Sequence, residues 1–112
     1  MSIKLPQVIE TYFQESNIYE SKLLASCFAE KAVLYDEGLT YHGPSAIQEH
    51  ILETNKKLSV KTEVTNTIDK NGETIVTATL SGDFEGSPVP LDFHFTIKNK
   101  KIVTLSIVLE GE

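Results

Sequence analysis

Asp36 closes the apolar run Ala32-Val33-Leu34-Tyr35. A carboxylate carried on the end of an apolar strand can remove a proton from carbon when an enclosed site holds it away from bulk water. A plainer role is also open to it, because Asp often accepts backbone N–H bonds in a turn and Glu37-Gly38 follows directly. His42, His50 and His94 are the other acid–base candidates. Strand parity turns His94 outward and His50 falls toward solvent on its helix, so His42, beside the acid-bearing loop, is the histidine expected near Asp36. Tyr12 sits on an apolar helix face, where a phenol is either core with a satisfied hydroxyl or a donor to a ligand. The single Cys27 cannot form an internal disulfide and is expected as buried packing. With no Cys or His pair at ligand spacing and no Gly-rich phosphate loop, neither a metal nor an organic cofactor is expected.

Composition bounds the partners. The chain has 112 residues, 40% hydrophobic and 23% charged, as expected for one ordinary globular core spanning residues 1–112. Sixteen acids against 10 bases give a net charge of -6. Nucleic acid and anionic membranes are therefore poor partners, since both bind through Lys and Arg. No apolar run approaches the roughly 20 residues that span a bilayer, and the stretch from Met1 to Pro6 lacks the apolar core of a signal peptide. A cytoplasmic protein is the expectation.

The elements that must position these side chains divide into helices first and strands after. Leu5, Val8, Ile9, Tyr12 and Phe13 recur at helical spacing, and Leu23, Leu24, Cys27 and Phe28 predict a second helix with Ser21 as its N-cap. Gly43-Pro44 opens a third, to about Lys57, burying Ile47, Ile51 and Leu52. From Leu58 the period becomes twofold. Val60, Val64 and Ile68 share one face of a strand, and Asn71-Gly72 closes a type I′ hairpin. Val76 to Phe84, then Leu91, Phe93, Phe95 and Ile97, then Val103, Leu105, Ile107 and Leu109 continue the pattern. Three helices and an early strand thus precede four antiparallel strands, and such a sheet must curl around the helices into a cone.

At this point the chain resembles the nuclear-transport-factor-two-like superfamily, and within it the SnoaL-like and ketosteroid-isomerase-like proteins. The stretch from Ala32 to Ile47 carries the resemblance: a strand ending in an acid, a loop, then Gly-x-x-Ala-Ile opening a helix. It implies an α+β cone, a mostly antiparallel sheet wrapped around three N-terminal helices. It implies a catalytic base at Asp36 and an oxyanion-hole tyrosine at Tyr12. The isomerase's third catalytic group, a protonated Asp, falls on Phe95, which cannot donate a hydrogen bond. Its supporting tyrosines fall on Phe28 and Ile51. Leu34, His42, Phe28, Phe93 and Phe95 are expected to line the substrate site, which would take a small apolar molecule.

The outward strand face, with Thr77, Thr79, Ser81, Asp92, His94, Thr96, Thr104, Ser106 and Val108, is poor in charge. It suits either a sheet-to-sheet homodimer, which the resemblance also implies, or a solvated sheet. Two functions stand open. One is a small enzyme using Asp36 as general base on a carbonyl compound with Tyr12 polarising the oxygen. The other is a non-catalytic ligand-binding or interaction module on the same scaffold.

Overall fold

The computed structural model describes residues 4–111, so Met1 to Ile3 of the N-terminal stretch lie outside the described residues. The chain runs α1 (Gln7–Ser16), a short 3-10 turn (Leu24–Cys27), β1 (Phe28–Asp36), β2 (Leu39–His42) and α2 (Pro44–Lys57). Four strands follow: β3 (Lys61–Lys70), β4 (Glu73–Ser81), β5 (Val89–Lys98) and β6 (Lys101–Leu109). They form one curved, unclosed mixed sheet in the order β2-β1-β6-β5-β4-β3, an α+β cone with α1 and α2 against its concave side. β1 runs parallel to β6, and every other neighbouring pair is antiparallel.

Two α-helices stand among the described residues where three were expected. The apolar spacing at Leu23 to Phe28 belongs to the 3-10 turn and the start of β1. Leu24 and Cys27 are buried, Leu23 is exposed, and Phe28 is already extended. Four residues cannot offset the cost of nucleating an α-helix, so the segment tightens into one turn and passes into the sheet. Ser21 is not the N-cap expected of it: Leu23 holds that position with no side-chain cap bond, and Ser21 accepts the Leu23 N–H at 3.1 Å in the turn before it. The loop after Asp36 is a hairpin. Glu37 and Gly38 both have positive φ, 52° and 77°, and return the chain as the short edge strand β2.

The sheet closes its turns as expected at Asn71-Gly72, with φ of 53° and 80°. Parity fails at two bulges. Between Val64 and Asn66 one residue drops out of register, so Val64 packs inward while Ile68 faces out and is exposed. A second irregularity after Thr96 puts Ile102, rather than Val103, in the core. Inside the cone, Ile9, Leu34, Ile47, Val76, Phe95, Ile102 and Leu105 are fully buried.

Two side chains replace missing backbone partners. The Asn17 amide at the end of α1 accepts the Thr62 N–H at 3.0 Å and donates to the Thr62 carbonyl at 3.1 Å, so it pairs with β3 as a strand residue would. Asn55, buried in α2, donates to the Ser16 carbonyl at 2.9 Å and ties the two helices.

Candidate functional site

A cavity of about 420 Å³ opens at one end of the cone. Phe13 and Tyr12 from α1 and Phe93 from β5 supply aromatic wall, Ile51, Thr54 and Asn55 supply the α2 side, and Leu80, Leu91 and Ile107 supply the sheet. Glu37, Glu85 and Leu109 are exposed and mark its mouth. Gly82 shapes the neighbouring turn, because a Cβ there would lie 2.6 Å from the Leu58 carbonyl oxygen.

Asp36 lines this cavity from the end of β1. Its Oδ2 lies 2.9 Å from Nε2 of His50, and the two side chains are 20% and 17% exposed. The histidine expected near the acid is thus not the one found there. β1 climbs from Ala32 to Asp36, β2 returns, and the Gly43 N–H donates to the Ala32 carbonyl at 2.8 Å, which sets the start of α2 beside Ala32. Four strand residues rise about 13 Å and six helical residues about 9 Å. α2 therefore carries His50 up alongside Asp36. His50 does not face solvent as expected, because it stands three residues after the buried Ile47, on the border of the buried stripe. The Tyr41 ring stacks on the imidazole at 4.0 Å and 15° and fixes its plane.

His42 goes elsewhere. It pairs with Val33 across the β1–β2 ladder, on the face opposite Asp36, and is exposed. Strand parity overrides its nearness in sequence. Leu34, Phe28 and Phe95 are core residues behind the wall rather than part of the lining; Phe95 is completely buried. Of the expected lining residues, Phe93 reaches the cavity together with Asp36 and Tyr12.

Tyr12 is 2% exposed, with its ring edge-on to Phe13, Phe28, Phe93 and Phe95 at centroid distances of 5.0 to 6.3 Å. Its hydroxyl has no hydrogen-bond partner among the described residues, and its side chain lines the cavity. Burial, with the nearby Asp36 charge and then Cys27 adding to it, pushes its pKa well above the usual tyrosine value. The phenol therefore stays protonated and can act as a hydrogen-bond donor. Cys27 is a buried free thiol whose pKa is raised, chiefly by desolvation. No group of three or more His, Cys, Asp or Glu that could hold a metal ion occurs among the described residues.

The chain is 34% identical to a proposed polyketide cyclase from Sinorhizobium meliloti, over 92% of this chain and 94% of that one, with a TM-score of 0.86. The chain belongs to the NTF2-like superfamily. Within it the SnoaL-like proteins are the kin indicated, and the ketosteroid-isomerase-like proteins share the fold. This NTF2-like protein is also similar in fold to a hypothetical protein with a ketosteroid isomerase-like fold from Catenulispora acidiphila, solved in complex with trimethylamine. That likeness is 16% identical, covers 96% of this chain and 88% of that one, and has a TM-score of 0.75. An NTF2-like protein of unknown function from Mesorhizobium loti matches at 12% identity, 94% and 89% coverage and a TM-score of 0.79. No protein-family model matches the sequence, and no curated protein matches it.

Proposed function

We propose that this NTF2-like protein is a small-molecule enzyme of the isomerase or cyclase type, with Asp36 as general base on a largely apolar carbonyl compound. One observation carries the reading: Asp36 and Tyr12, whose hydroxyl has no hydrogen-bond partner among the described residues, line the same largely apolar cavity. The Asp36 carboxylate takes the proton from the carbon next to the carbonyl. The C–H electron pair moves into the new enolate and its charge gathers on oxygen, where the Tyr12 O–H donates a hydrogen bond. His50, carrying its proton on Nε2, holds Oδ2 and leaves Oδ1 for the substrate proton. Return of that proton to another carbon is isomerisation; attack of the enolate carbon on a second carbonyl, whose π pair moves to its oxygen and takes the proton back from Asp36, closes a ring. The polyketide cyclase assignment of the relative from S. meliloti is consistent with this chemistry.

A second reading is a non-catalytic ligand-binding or interaction module. It is favoured by Phe95, fully buried where the resemblance would require a second oxyanion donor. On either reading the outer sheet face is proposed to meet a second copy of the chain.

A structure with 2-tetralone, an apolar ketone with acidic α-hydrogens, tests the enzyme reading. It expects the ketone oxygen within hydrogen-bond distance of the Tyr12 hydroxyl and an α-carbon against Oδ1 of Asp36. A ketone seated with its carbonyl at the mouth, away from Tyr12, would overturn it.

A further inference from the structure

The charge distribution around the cavity does more than enclose a base. Asp36, Glu37 and Glu85 contribute three carboxylates to the lining, and no Lys or Arg is among the lining residues. Even with His50 protonated, two negative charges remain. Four aromatic residues, Tyr12, Phe13, Phe84 and Phe93, are among the lining of the same cavity. Glu37 stands on the β1–β2 turn and Glu85 on the β4–β5 connection, so two separate loops place like charges at one opening. Like charges brought together repel, and an opening of this kind is most comfortable when a cation lies between them. Aromatic faces add attraction for an organic cation, which a carboxylate or phosphate would not receive. Tyr12, 2% exposed and lining the same cavity, has a hydroxyl with no hydrogen-bond partner among the described residues and so is free to meet a ligand acceptor.

We infer that the ligand of this cavity carries both features, an oxygen acceptor at the Tyr12 end and a protonated or quaternary nitrogen at the Glu37 and Glu85 end. Glu37 and Glu85 are then specificity-determining residues for an amine-bearing carbonyl compound. The inference rests on the pocket reading above and narrows its substrate class.

Three phenols of one shape test it: 4-hydroxyphenyltrimethylammonium, 4-tert-butylphenol and 4-hydroxybenzenesulfonate present a cation, a neutral group and an anion on the same frame. Titration calorimetry at low salt is expected to rank them in that order, with the cation about tenfold tighter than the neutral phenol. Raising the salt to about 0.5 M is expected to narrow the gap severalfold. In the Glu37→Gln/Glu85→Gln variant the cation is expected to bind no better than 4-tert-butylphenol. Equal binding of cation and neutral phenol by the parent protein, or preference for the sulfonate, overturns the charge inference and leaves a pocket for neutral compounds intact. Failure of all three to bind overturns the charge inference and the pocket reading together.

Discussion

His50 Nε2 and Asp36 Oδ2 stand 2.9 Å apart, joining the middle of α2 to the last residue of β1. The pair gives Asp36 a fixed orientation, and Tyr41 stacked on the imidazole gives His50 one in turn. Asp36→Asn and His50→Gln are expected to couple by about 0.5 to 1 kcal/mol in a double-mutant cycle of urea unfolding at pH 7, as a part-exposed pair should. Strict additivity would mean that the contact contributes nothing to the folded state.

Tyr12 makes an alkaline prediction. Its folded pKa lies above the ordinary value near 10. Above about pH 10 the unfolded chain releases a proton that the folded chain retains, so the stability from this group is complete below that pH and falls as pH rises. Tyr12→Phe should melt within about 1 kcal/mol of the parent at pH 7, because the hydroxyl has no partner among the described residues to lose. Melts from pH 8 to 11 should show a shallower alkaline decline for the variant. Parallel declines would show that Tyr12 ionises freely in the fold.

Two glycines separate conformational from steric cost. Gly72, at φ 80°, has open space around it, so Gly72→Val should cost roughly 1 to 2 kcal/mol through backbone strain alone. Gly82 has no positive φ, but an added Cβ meets the Leu58 carbonyl oxygen at 2.6 Å. Gly82→Ala should therefore cost about 1 to 3 kcal/mol by forcing the α2–β3 corner outward. Denaturant midpoints check both, and a neutral Gly82→Ala would show that the corner yields freely.

Much of the cone was legible because its signals are local. Gly43-Pro44 set the start of α2, Asn71-Gly72 set a hairpin, and alternation along Val76 to Leu80 and Leu91 to Ile97 gave the inner face. The bulges at Val64/Asn66 and after Thr96 were not legible, since an extra residue in a ladder depends on the partner strand. Periodicity read the Leu23 to Phe28 segment as helical, and its shortness decided otherwise. At the candidate site, Asp36 was legible from the strand end and Tyr12 from the resemblance, and both line the cavity. His50 was missed, because the contact depends on how far α2 travels along β1. His42 was misplaced because parity outweighs proximity.

Assembly is open to a direct check. Tyr35 and His94 flank Ser106 on the outer sheet face, and Nε2 of His94 is buried without a hydrogen-bond partner among the described residues. A homodimer through this face predicts a light-scattering mass twice the 12.5 kDa of the chain at micromolar concentration. Ser106→Lys, which sets a charge against its own copy, should return it to one chain mass. A parent protein that stays at a single chain mass at all concentrations rules out the dimer.

The general-base claim is tested most directly by following deuterium entry into the α-positions of 2-tetralone in D₂O by proton NMR, with parent, Asp36→Asn and Tyr12→Phe proteins. The parent is expected to accelerate exchange above buffer, Asp36→Asn to abolish the acceleration, and Tyr12→Phe to reduce it by about 10². Equal exchange in the parent and the Asp36→Asn variant, with the ketone bound in both, would contradict Asp36 as the base.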